Sequence, residues 1–155
     1  KSVDLLEEGW IEEHGYSAME DQTLFYKAWL RGKKTIVVAD AIYEHLDAKT
    51  STRNNKPTVL YSHPFNRTVF WKRFIYDQKK TAMGRAWATV CYGYRILWRE
   101  IYDRVCVLRG KMTREDRETA RQGRRDAFRF IRSREYASLP SVCDRSINYG
   151  TRKME

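Results

Sequence analysis

The spacing of apolar residues changes several times along the chain. In GYSAMEDQTLFYKAWLRG (residues 15–32), Leu24, Phe25, Ala28 and Trp29 recur at i, i+1, i+4 and i+5 until Gly32. This predicts a helix of about three turns closed by a glycine. Ser17 and Glu20 stand ahead of it at the S-x-x-E spacing of a capping box, in which each would satisfy an amide of the other's residue. KKTIVVADAIYEHL then replaces helical spacing with a β-branched run from Thr35 to Val38, with Ile42 and Tyr43 beyond, and predicts a strand buried on both faces. Helix, glycine turn and buried strand in that order is α/β organisation. Before it, VDLLEEGWIEEH offers Leu5, Leu6, Trp10 and Ile11 as anchors of a short helix or turn.

Beyond the strand the pattern becomes helical. DAKTSTRNNKP (residues 47–57) is polar and without period, which predicts a loop. SHPFNRTVFWKRFIYDQ follows, with Ser62 or His63 ahead of Pro64, and proline suits the first turn of a helix because its missing N–H has no partner there. The helical region it opens is expected to break near Gly84. Val90, Tyr94, Leu97, Ile101, Val105 and Leu108 then step by three and four, widened by Trp87, Cys91, Trp98 and Tyr102, while Arg85, Arg95, Arg99, Arg104 and Arg109 line much of the remainder. That is an amphipathic basic helix, with the aromatic stripe expected to face a core. A last helix is predicted from MTREDRE, where Thr113 caps and Glu115 and Asp116 favour the positive end of the helix dipole. Ala120, Ala127, Phe128 and Ile131 would face inward and much of RQGRRD outward. From Leu139 the tail is polar and turn-like and is expected to fray.

Composition sharpens this picture in two respects. With 155 residues, 42% of them apolar and 14% aromatic, the chain can bury a core, which excludes disorder throughout. Thirty Lys and Arg against twenty Asp and Glu give a net charge of +10, and the excess is concentrated from Arg67 onward, since the first fifty residues lean acidic. Nucleic acid, anionic lipid or a phosphorylated substrate would suit such a surface. Cys91, Cys106 and Cys143 are odd in number and widely spaced, which reads as reduced thiols in a cytosolic chain rather than a zinc knuckle. The longest uncharged stretch of the apolar region, Ala86 to Tyr94, falls well short of the roughly 20 residues of a membrane span. The first residue is Lys1, which fits a piece of a longer protein.

Two adjacent carboxylates, Glu20 and Asp21, are the first candidates for chemistry. Glu20 is equally well explained as the capping partner of Ser17. Asp21 lies one place beyond the box and is not required by it. A carboxylate at a helix start is favoured in its ionised form, the state of a general base, although the same dipole also favours a merely solvated charge. His45, at the end of the predicted strand between Glu44 and Asp47, is either a hydrogen-bonded surface residue or a metal ligand completed from elsewhere. His14 and His63 have weaker claims.

Taken together, GYSAMEDQTLFYKAWLRGKKTIVVADAIYEHL resembles the C-terminal half of the catalytic domain of family 2 glycosyltransferases, which have the GT-A fold. The resemblance implies an α/β fragment, mostly helical. Residues 1–60 would be the acceptor-side C-terminal part of a GT-A domain, and residues 61–155 a basic, aromatic-rich helical extension similar to that of bacterial cell-surface polysaccharide enzymes. It assigns Asp21 as the base that deprotonates the acceptor hydroxyl, with Glu20 supporting the acceptor site or the helix start. His45 is similar to the third ligand of the divalent metal, Mn or Mg, that holds the sugar-nucleotide diphosphate. The implied partners are a nucleotide-diphosphate sugar donor and a saccharide or lipid-linked acceptor, in the cytoplasm or at the inner face of the bacterial membrane. The sequence also departs from the family: it contains no Asp-x-Asp and no nucleotide-binding first half, so this chain alone is expected to lack most of the donor site.

Two other readings compete for the basic helices. Arg and Lys on phosphates with Trp and Tyr stacked on bases would bind nucleic acid. This is the less favoured reading, because Trp87, Tyr94, Trp98 and Tyr102 share a stripe with Ile and Val. Arg flanks with Trp and Tyr at an interface would instead dock on an anionic membrane surface. Packing against the rest of a catalytic domain accounts for the stripe equally well.

Overall fold

The structure, a computed structural model, describes residues 19–30, 32–33, 56–139 and 142. Among them every regular element is helical: α1 (Glu20–Leu30), α2 (Lys56–Phe70), a π-helical segment (Trp71–Tyr76) continuing it, α3 (Ala82–Leu108), α4 (Arg114–Phe130) and the short α5 (Arg134–Ser138). The predicted strand, His45 and most of the predicted loop at 47–57 lie outside the described residues.

α1 starts differently from expectation. Met19 adopts φ 74°, and its carbonyl accepts the first helical bond, from Thr23 N at 2.9 Å. Glu20 is thus the first helical residue rather than the third. Ser17 lies outside the described residues, so no bond between it and Glu20 is described. The glycine stop is present: Gly32 has φ 69°, and Lys33 N bonds Ala28 O at 2.9 Å, closing the helix with a left-handed residue. The inward face is also rotated from the one predicted. Phe25 and Trp29 are exposed and Thr23 and Lys27 buried, while Tyr26 inserts edge-on between Phe70 and Phe74 at 5.6 and 6.1 Å.

α2 begins at Lys56, not at Pro64, with Pro57 in its first turn, where the lost N–H costs nothing. Pro64 stands inside the helix. Hydroxyls bond back to carbonyls around it, Ser62 Oγ to Thr58 O and Thr68 Oγ1 to Pro64 O, both at 2.8 Å. The helical run breaks at Asp77–Thr81 rather than at Gly84, and Thr81 Oγ1 caps α3 by accepting from Gly84 N at 3.1 Å.

α2 and α4 form the main helix pair. They cross at Gly123, where a Cβ would stand 2.1 Å from the Tyr61 carbonyl oxygen. Glycine is required there because the backbones almost touch. Phe65, Val69, Phe74, Ala127, Phe130 and Val142 make the core, with Leu139 packed against it. Leu139 and Val142 thus join the core, where fraying was expected. The predicted start of α4 is confirmed: Thr113 Oγ1 accepts from Asp116 N at 3.0 Å, and Thr113 N donates to Asp116 Oδ2 at 3.1 Å. Ala120 and Ala127 are buried as predicted and Phe128 and Ile131 half-buried, whereas RQGRRD does not mostly face out: Gly123 is buried, Arg125 alone is exposed, and Arg121, Gln122, Arg124 and Asp126 are half-buried.

The largest correction concerns α3. Its apolar stripe exists but points away from the bundle: Trp87 is 68% exposed, Trp98 62% and Leu108 86%, and Val90, Tyr94, Leu97, Ile101 and Tyr102 are exposed with them. The face that meets the bundle carries Ala88, Tyr92 and Asp103. Its docking relies on small size and polar bonds. Tyr92 OH and Thr68 Oγ1 lie 2.7 Å apart, Trp71 Nε1 donates to Ala88 O at 3.2 Å, and the Trp71 and Tyr92 rings stack at 4.4 Å.

Candidate functional site

Two adjoining cavities open along α2 and α3, the first reaching the start of α1 and the second reaching α4. The first, of about 480 Å³, reaches from Met19 and Gln22 at the start of α1 past Phe70 and Trp71 to Arg67, Tyr92 and Arg95. The second, of about 280 Å³, continues from Arg67, Tyr92 and Arg95 to Val59, Leu60, His63, Arg99 and Arg124. Arg67, Tyr92 and Arg95 therefore line both cavities. Tyr92 is held by its Thr68 hydrogen bond and its stacking on Trp71. Burial raises its phenol above the ordinary value.

The spacing of the cationic residues explains their convergence. His63 and Arg67 are one turn apart on α2, as are Arg95 and Arg99 on α3, so each pair shares a helix face. Arg67 Nη2 lies 3.4 Å from His63 Nε2. Arg99 is committed in part to the buried Asp103, with Nε 2.9 Å from Oδ1. Arg124 is committed to Glu100, which also receives Arg117 at 3.1 Å and Arg121 at 3.3 Å. Although burial raises the Glu100 carboxyl, its hydrogen bonds to Arg124 and Arg117 lower it on balance. Among the described residues neither Arg67 nor Arg95 meets a carboxylate. Burial first, then the neighbouring Arg67 and Arg99 charges, lowers the His63 imidazole below its ordinary value.

Asp21 is exposed in the first turn of α1, next to Gln22 of the larger cavity, and Glu20 opens the helix beside it. His45 and His14 lie outside the described residues, so no contact with Asp21 is described for either. His63, read from sequence as part of a helix entry, sits instead within α2 on the smaller cavity. Among the described residues no three His, Cys, Asp or Glu side chains come together as a metal donor set. His45, the metal ligand that the resemblance implies, is not among them. Cys91 and Cys106 are free thiols. Sequence reasoning missed the convergence of Arg67 and Arg95. Its only sequence trace is the i, i+4 cationic spacing without a facing acid.

No protein-family model, characterised protein or solved structure matches the chain.

Proposed function

We propose that this chain forms the acceptor-side, C-terminal portion of an inverting family 2 glycosyltransferase. The supporting observation is an exposed Asp21 in the first turn of α1, beside an open cavity. α1 is anchored through Tyr26 to the aromatic core, which gives the carboxylate a rigid mount. Asp21 takes the proton of the acceptor hydroxyl as its oxygen attacks the anomeric carbon. The bond from that carbon to the diphosphate breaks on the opposite face, and the configuration inverts. The diphosphate leaves with the electron pair of the broken bond. In the full-length enzyme Asp21→Asn lowers turnover by about 10² to 10⁴-fold with donor binding retained. Undiminished turnover would reject the assignment.

A second reading is favoured by one feature, the outer face of α3. Both carboxylates of α3, Glu100 and Asp103, are turned toward arginines, so the exposed face combines apolar and aromatic residues with Arg104 and Arg109 but no acid. No helix among the described residues is long and apolar enough to cross a membrane. Such a face lies along an anionic bilayer surface, with Trp and Tyr at headgroup depth. This would hold the enzyme at the inner face of a bacterial membrane, near a lipid-linked acceptor. Co-sedimentation with anionic vesicles, lost in Trp87→Ser/Trp98→Ser, tests it. Binding to DNA with a steep salt slope and no vesicle binding would favour nucleic acid instead.

A further inference from the structure

We infer that the cleft between α2, α3 and α4 is a binding site for a phosphate monoester or diphosphate group, held by Arg67 and Arg95 with His63, Arg99 and Arg124 around it. The inference does not depend on glycosyl transfer. Five cationic or protonatable side chains line one cavity of about 280 Å³, and no carboxylate lines it. Arg99 and Arg124 are partly neutralised by Asp103 and Glu100 behind them, whereas among the described residues Arg67 and Arg95 have no such partner.

Gathering guanidiniums without counter-charges is unfavourable in the empty protein. Burial, and next the Arg95 charge, lowers Arg67 from its ordinary value. A doubly charged tetrahedral anion reverses that cost, because each guanidinium can present two N–H donors to phosphate oxygens, in bonds stronger than neutral ones. A singly charged carboxylate would leave one of the two uncompensated. The remaining wall is apolar, formed by Val59, Leu60, Pro64 and Ile96, and suits the organic part of an ester better than a free inorganic ion. The cavity is too small for a nucleic-acid duplex, whose phosphates would need an extended basic groove.

Isothermal titration of the full chain with inorganic pyrophosphate at fixed salt tests the site. Saturable one-to-one binding is expected. Arg67→Gln and Arg95→Gln should each weaken it by roughly tenfold or more. Arg104→Gln, which removes the same charge from an exposed position of α3 outside the cavity, should leave it unchanged. Absence of saturable binding, or equal weakening by all three variants, overturns the proposal, the latter by showing only a diffuse field. If Arg67→Gln fails to fold, Arg95→Gln at its exposed position decides the matter alone. Phosphatidylcholine vesicles carrying phosphatidic acid, compared with phosphatidylcholine vesicles carrying phosphatidylglycerol at equal surface charge, separate the sources of the group. A preference for phosphatidic acid that Arg95→Gln abolishes assigns a lipid phosphomonoester. Pyrophosphate binding without that preference assigns a soluble phosphate ester.

Discussion

α3 and α4 are both amphipathic, yet they use their apolar residues in opposite ways. α4 is poor in them, and Ala120, Gly123, Ala127 and Phe130 are all buried, on one face against α2. α3 is rich in them and exposes most of the large ones, while meeting the bundle through Ala88, Tyr92 and Asp103. Close approach explains the difference. A helix carrying Ala and Gly on its inner face lets backbones come together, and polar bonds to Thr68 and Trp71 can dock a second helix with little apolar area. The apolar content of a helix therefore does not tell which side the core is on. A continuous apolar face on solvent, along a helix about 40 Å long, is the mark of an interaction surface.

Substitutions on the two sides of this contrast should differ most. Phe65→Ala, in the core that α2 and α4 share, is expected to cost about 3–5 kcal/mol in urea unfolding, whereas Leu97→Ala on the outer face of α3 should cost less than about 0.5 kcal/mol. A comparable loss from both would mean that α3 turns its apolar face to the core after all. Gly123→Ala should come next, at about 1–3 kcal/mol, because its methyl group would collide with the Tyr61 carbonyl and force the helices apart.

A pH titration of stability addresses the cationic cleft. His63 is lowered in the folded chain, so below its ordinary value of 6.5 the unfolded chain binds more protons than the folded one. Stability from this group is present above pH 6.5 and is lost as pH falls through the lower folded value. His63→Gln should flatten that part of the unfolding profile; an unchanged slope would place the proton uptake elsewhere. The smallest effect has the opposite sign. Gly93→Ala, on an exposed stretch of α3 where a Cβ meets nothing within 4 Å, should stabilise by up to about 1 kcal/mol through helix propensity alone.

Much of the helical framework was legible in the chain. Thr113 with Asp116 marked the start of α4, Gly32 the end of α1, and the three-and-four spacing from Val90 to Leu108 the amphipathic face of α3. These signals act within one or two turns. The errors came where a local signal was ambiguous or a distant group decided. Ser62-His63-Pro64 looks like a helix entry, but hydroxyl bonds to carbonyls accompany Pro64 within a helix that had already begun. The spacing from Ser17 places Glu20 third in its helix, whereas Met19 is left-handed and Glu20 opens α1. The candidate site was legible only as isolated residues. Asp21 could be singled out by position, while the meeting of Arg67 with Arg95 depends on how α2 lies against α3.

The π-helical segment has a further consequence. Trp71–Tyr76 turns more slowly than the α2 coil it extends, and its last rung runs from Asp77 N to Lys72 O at 2.9 Å. Each residue of an α-helix advances the side-chain direction by about 100°, and the wider coil advances it less. The segment works as a phase shifter: it lets Trp71 lie flat on Tyr92 while Phe74 still reaches the aromatic core beneath α1.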